Sequence, residues 1–169
     1  HLTVKQISLF VLGTVACIEE NYLIGRQHYA NIQLDSSEDP NLLAEWGFAL
    51  VACGLADYQQ AQQHIHQVME FWLTLGGTQT TVWLLVSLPI ATLILANQGE
   101  PIWAIELLGL AFNHPNQLTG WAEKWSLLTQ LRYDLEAELG SDTFNNAWER
   151  GHSLDLITEV KKLLLYLKP

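Results

Sequence analysis

Positive charge is scarce in this chain. Its 169 residues hold 8 Lys and Arg against 18 Asp and Glu, for a net charge of −10. Phosphate is repelled by such a surface, and no stripe of Lys or Arg offsets it, so direct nucleic-acid binding is not expected. Charged residues make up only 15% of the chain, below the typical share of about a quarter. Cysteine is nearly absent too. Cys17 and Cys53 lie in separate helical runs and form no Cys-x-x-Cys pair. Neighbouring helices pack about 8–10 Å apart, beyond the ~7 Å Cα limit for a disulfide. They read as reduced core residues of a cytoplasmic protein.

Motifs for chemistry are missing as well. There is no Gly-x-x-x-x-Gly-Lys-Ser/Thr loop for phosphate, no His-Glu-x-x-His and no Gly-x-Ser-x-Gly. His64 and His66 are two apart on a helix, so their side chains diverge and cannot chelate one ion. Glu19, Glu20, Glu136 and Glu138 fit solvated helix faces. Neither catalysis nor a cofactor or metal is expected. The longest apolar run, Val82–Ala96, has 15 residues and contains Pro89. That is short of the ~20 needed to span a bilayer, so a buried central helix is expected and no membrane contact.

What is present is apolar and helical. Hydrophobic residues reach 49%, with seven tryptophans, enough for one domain over residues 1–169 with a substantial core. The organising stretch is Asp39–Glu70, two helical runs joined by Gly54-Leu55-Ala56-Asp57. Asp39 and Pro40 suit the start of the first run, Gly54 its end, Asp57 the restart and Gly76-Gly77 the final stop. Further on, Pro89 should kink its helix or remove a hydrogen bond. A long helix is expected after Pro115, through Leu118, Trp121, Trp125 and Leu128, closed by Gly140. Ser141 and Ser153 are expected to cap two shorter helices, the first closed by Gly151, with Lys161, Lys162 and Lys168 favourable to the last helix dipole.

The hairpin pattern recurs. Small residues are spaced 12 apart in Gly13/Gly25, Ala49/Ala61 and Thr92/Ala104, each followed four places later by Tyr29, Ile65 or Leu108. Close helix approach needs small side chains at such points. The units are offset by 36 and 43 residues, against about 34 in a standard repeat.

These residues resemble the tetratricopeptide family: Leu12-Gly13-x-x-Ala16 with Tyr22, Gly25 and Tyr29, then Phe48-Ala49-x-x-Ala52 with Tyr58 and Ala61. The resemblance implies an all-α fold, a tetratricopeptide-like α-α superhelix. Three hairpins are expected at about 2–36, 39–75 and 78–114, with capping helices over 116–168 covering the open end. A second resemblance rests on A-I-E-L-L-G-L-A-F-N-H-P at Ala104–Pro115 and L-G-S-D-T-F-N-N-A-W-E-R-G-H-S-L-D-L-I-T-E-V at Leu139–Val160. Together they are similar to the C-terminal helical-repeat region of large bacterial signalling ATPases and transcription regulators. On that resemblance the chain is a fragment of a larger protein, and a non-enzymatic interaction or sensor domain. The start at His1, without methionine, agrees with that expectation.

In such a superhelix the first helix of each pair lines a concave groove. Ile7, Phe10 and Thr14, then Leu43, Trp46 and Leu50, then Val86, Pro89 and Leu93 would form it. This wall is apolar, so the expected ligand is an apolar peptide or helix, or another module of the parent chain, with Phe10 and Trp46 as anchors. Three other outcomes stay open: a groove filled by the chain's own C-terminal helices, a homodimer burying the same faces, and a small-molecule effector pocket between repeats.

Overall fold

The structure is a computed structural model that describes residues 3–35 and 41–168. Among the described residues there are nine α-helices, one short 3-10 turn and no strand. The helices are α1 (Val4–Ile18), α2 (Tyr22–Leu34), α3 (Leu42–Gly54), α4 (Tyr58–Leu75), α5 (Thr78–Asn97), α6 (Pro101–Asn113), α7 (Ser126–Leu139), α8 (Ser141–His152) and α9 (Leu156–Tyr166). Asp39 and Pro40 lie outside the described residues. The start of α3 is capped by Asn41, whose side chain accepts from the amides of Leu43 and Ala44 at 3.1 and 3.3 Å.

Three hairpins, α1/α2, α3/α4 and α5/α6, share one turn geometry. In the first, the amide of Glu20 donates to the carbonyl of Cys17 and that of Asn21 to Ala16. Ala56 and Asp57 repeat this on Cys53 and Ala52, and Gly99 and Glu100 on Ala96 and Leu95. Each is the paired-bond helix stop built on one left-handed residue. Glu20, Ala56 and Gly99 hold that conformation, with φ of 64°, 58° and 84°. Gly54 does not. It is the last residue of α3, the expected end of the run, and a Cβ there would meet the Tyr22 ring at 2.1 Å.

The small residues stand seven places before and five after each left-handed residue. A Cβ on Gly25 would lie 3.1 Å from the carbonyl of Gly13. Thr92 Oγ1 donates to the carbonyl of Ala104 at 3.5 Å. Ala49 and Ala61 are fully buried, as are Tyr29, Ile65 and Leu108. Consecutive helices pack on one another from α1 to α6, and α3 also packs on α1, and α5 on α3. Tyr29 locks the first two hairpins: its ring would meet a Cβ on Gly13 at 2.8 Å and one on Gly47 at 2.2 Å.

Beyond α6 the order changes. α8 packs on α6, α7 reaches α8 and α5, and α9 lies against α4 and α5. The α6–α8 crossing is backbone to backbone. A Cβ on Gly109 would stand 2.2 Å from the carbonyl of Trp148, and one on Gly151 2.2 Å from that of Glu106. Gly151 therefore spaces the crossing and does not stop α8, which runs on to His152. Arg150 pairs with Glu106 at 2.8 Å beside it, and Arg132 lies over the rings of Phe112 and Trp148.

The single long helix expected after Pro115 is two pieces. Trp125 is extended (ψ 111°) between the 3-10 turn Ala122–Lys124 and α7. Its ring is fully buried, and burying it there breaks the helical path. Ser141 is not a cap; its hydroxyl donates to Glu136 at 2.7 Å. Nor is Ser153, which donates back to the carbonyl of Arg150. Asp155 caps α9 instead, accepting from the Thr158 amide at 2.8 Å. No basic residue falls in the last turn of α9, and Lys162 pairs with the buried Glu159. α5 passes through Pro89 as one helix, with the carbonyl of Leu85 deprived of its usual amide donor. α5 is the one described helix long and apolar enough to cross a membrane, and 67% of that window is buried inside the fold.

Two substitutions should shift stability in opposite directions. Gly47→Ala must push a methyl into the buried Tyr29 ring, and overpacking of that kind costs about 1–3 kcal/mol. Ala56→Gly relieves a left-handed alanine, a strain of about 1–2 kcal/mol, partly offset by chain entropy. Thermal unfolding should show Gly47→Ala melting several degrees lower and Ala56→Gly slightly higher, at about 2–4 °C per kcal/mol.

Candidate functional site

Most of the expected groove residues join one core: Leu43, Trp46, Leu50 and Leu93 belong to it and Phe10 and Val86 pack against it, whereas Ile7 lies on the outer face of α1. Leu43, Trp46, Leu50, Pro89 and Leu93 are buried, Phe10, Thr14 and Val86 half-buried, and Ile7 exposed. Trp46 keeps only 1% of its surface. It cannot be the anchor of an open groove. Its cover is the segment between α6 and α7. Trp121 meets Trp46 edge to face at 5.3 Å, and Trp125 lies 5.7 Å further along.

That segment returns to the first hairpin because polar and aromatic groups wait there. Trp125 Nε1 donates to the Tyr22 hydroxyl at 3.4 Å, and the Ser126 hydroxyl to Glu20 at 2.5 Å. Thr119, buried, donates to the carbonyl of Ala111 at 3.3 Å. Phe10 sits inside the array, 5.3 Å from Trp46 and 6.0 Å from Trp83, with Trp83 stacked on Trp72 at 5.5 Å and 8°. Thr14 serves the core, accepting or donating with the Tyr29 hydroxyl at 3.0 Å. The wall read as a ligand groove is thus one continuous ring cluster joining α1, α3, α4 and α5 to the returning segment. Two indole groups, Trp46 Nε1 and Trp72 Nε1, are buried in it without a hydrogen-bond partner.

The open apolar surface is elsewhere, on the outer side of α1. Val4, Ile7, Val11 and Val15 fall on one helical face, flanked by Leu12, Leu23 and Ile24, and all seven are exposed, Val4 at 82% and Leu23 at 66%. The opposite face, with Gly13, Ala16 and Cys17, is the one buried in the hairpin stack. Lys5 is the only charged residue of α1, and it is tied to Asp35 at 2.8 Å. A helix apolar all round is built to be covered all round. That signal was available in the sequence at Val4–Ile18, and reading one groove face from α1 overlooked its other side.

Titratable groups in the interior are inert. Burial pushes the Cys17 thiol up to about 12, against an opposing hydrogen bond with Tyr29, and it also raises Cys53 and Tyr29. Both cysteines are free and buried. His64 and His66 point to different partners, Glu45 of α3 and the carbonyl of Leu164 in α9. Among the described residues no group of three or more His, Cys, Asp or Glu is placed to hold a metal ion. Comparison with known protein families, with curated proteins and with solved structures finds no match to this chain.

Trp46→Ala should therefore cost about 3–5 kcal/mol, the range for emptying a buried aromatic site, seen as a melting temperature lower by roughly 10 °C or more. Trp46→Phe should cost clearly less, since it keeps a ring and removes the unpaired N–H.

Cys17 and Cys53 should resist a thiol reagent at neutral pH until the chain is unfolded. Their protons are held more tightly in the folded chain than in the unfolded one. The thiols' contribution to stability should therefore be constant below pH 9.0, the ordinary thiol value, and be lost as pH climbs from there toward about 12. Denaturant midpoints at stepped pH values, read for the wild type and for Cys17→Ala, measure this directly.

Proposed function

We propose that this chain is a non-enzymatic interaction domain, a tetratricopeptide-like stack of helix hairpins that docks an apolar helix hairpin on the outer face of α1. The observation that carries the reading is the uncovered stripe of Val4, Ile7, Val11 and Val15 beside Leu23 and Ile24. Exposed contiguous apolar surface of this kind marks a contact site. The occupant follows from continuity: α5 packs on α3, and α3 on α1, so the next member of the series would seat on α1. Three identical turns, offset by 36 and 43 residues, support the repeat assignment.

The chain's place as the helical tail of a bacterial multidomain signalling ATPase or transcription regulator, acting in the cytoplasm, is the same proposal at a wider scale. What supports it is that the two sequence segments behind the resemblance, 104–115 and 139–160, interlock through Gly109 and Gly151. Their joint occurrence then has a physical reason. A preceding module of such a regulator is the natural source of the hairpin that covers α1.

Fusing an idealised helix hairpin upstream, in register with the repeats, tests the docking face. The fusion should raise the melting temperature by several degrees. Val11→Glu with Val15→Glu should abolish the gain while leaving the unfused chain's melting temperature unchanged, because both side chains are exposed. No gain from the fusion would rule the face out as a stacking surface. Sedimentation of the unfused chain that shows a stable dimer, dispersed by the same two changes, would assign the face to self-association instead.

A further inference from the structure

A second concave surface lies between α2, α3 and α4. It is a cleft of about 340 Å³, inside the range of about 300–1,000 Å³ occupied by small-molecule sites. Phe48, Val51 and Leu55 form its apolar wall, and Arg26, Gln60 and His64 bring the polar groups. Small apolar clefts between helices are common. The polar groups set this one apart.

His64 is held in place from two sides. Its Nδ1 meets Glu45 Oε2 at 2.5 Å, with both side chains largely buried (23% and 12% exposed), and its ring packs on Phe48 at 5.6 Å. A carboxylate on Nδ1 fixes the proton there and leaves Nε2 as a hydrogen-bond acceptor. Among the described residues nothing in the protein uses it. Among the described residues Gln60 makes no side-chain hydrogen bond and Arg26 no ion pair, although acids outnumber bases by more than two to one across the chain. A guanidinium unpaired among the described residues of so acidic a protein, beside an apolar wall, fits an anion carried on an apolar body.

We infer that this cleft binds a small apolar carboxylate, its anion on Arg26 and its hydrocarbon part against Phe48, Val51 and Leu55, with the Gln60 amide able to donate a further hydrogen bond. The cleft lining shares no residue with the α1 stripe, so the inference stands or falls apart from the docking face. It also supplies a physical coupling. A ligand bridging α2 to α4 would stiffen the first two hairpins against each other, the same pair that Tyr29 locks from within.

The test is a titration of the methyl-labelled chain, followed by NMR, with 3-phenylpropanoate, octanoate and the uncharged 3-phenylpropanamide. The carboxylates should shift the Val51 and Leu55 methyl signals saturably. The amide should bind about tenfold or more weakly, and Arg26→Gln should weaken the carboxylates by a similar factor, equivalent to about 1.4 kcal/mol. Arg26→Lys should recover part of the loss. Arg26 is exposed, so an unchanged melting temperature in each variant shows that the fold is intact. Absence of saturable shifts with both carboxylates up to about 10 mM, a range weaker than the ~4 kcal/mol of millimolar binding, would overturn the inference. Equal binding by the amide, or by Arg26→Gln, would overturn it too.

Discussion

Everything in this architecture depends on helices approaching where side chains are missing. Tyr29 is the clearest case. Its ring is fully buried, with the backbone of Gly13 on one helix and of Gly47 on another at distances no Cβ could share. One aromatic thereby fills the space of two missing side chains and sets the spacing of α1, α2 and α3 at once. Gly54 does the same for Tyr22, and Tyr22 in turn receives the indole N–H of Trp125. The contact chain from the first hairpin to the returning segment thus passes through two tyrosines, each seated on glycine. Interiors packed this densely cannot absorb an added methyl without moving a helix.

The same device reappears at the other end in a different form. Gly109 and Gly151 let the backbones of α6 and α8 touch, and the Arg150–Glu106 pair and the Phe112–Trp148–Phe144 rings flank the crossing. α9 is then fixed against α4 by Gln62, bonded to the carbonyl of Leu167, and His66, bonded to that of Leu164. The C-terminal end of the stack is therefore closed by side chains that reach specific carbonyls. The outer face of α1 has no counterpart to any of this among the described residues, which is why the two ends differ so sharply in exposed apolar surface.

Local features were legible in the sequence to the extent that their cause is local. The helix stops at Gly76-Gly77, Gly99 and Gly140 all have positive φ, a preference each glycine carries by itself. Asp57 caps α4 through its own side chain. The register of small residues emerged for the same reason, since a twelve-residue spacing is a property of one hairpin. Gly151 misled because glycine also serves close approach, and only the partner, Glu106, tells the two uses apart; Gly54 does both, ending α3 and seating Tyr22. Ser141 and Ser153 misled in a related way. A neighbouring acid or carbonyl was a better partner than the helix start, and Asp155 took the cap. The burial of Trp46 was out of reach for a deeper reason: its cover, Trp121, is 75 residues away in sequence, and nothing in a helical period tells which distant ring will arrive.

Filling the concave side with the chain's own rings changes where binding energy could come from. An open aromatic groove would have offered hot-spot residues such as Trp46 to a partner directly. With those rings spent on internal contacts, the outer face of α1 still offers contiguous apolar area to water, and the α2–α3–α4 cleft offers polar groups beside an apolar wall. An edge recognises another stacked element through shape and apolar area, whereas a cleft with a cation recognises a charged head on an apolar body. These are different selectivities on one rigid body. Tyr29 contacts α3 beneath the cleft and α1 beneath the stripe, so a change in how the first two hairpins sit would be felt at both surfaces. That makes the glycine-seated tyrosine the place where the two would communicate, and it ties what holds the fold together to what the fold can do.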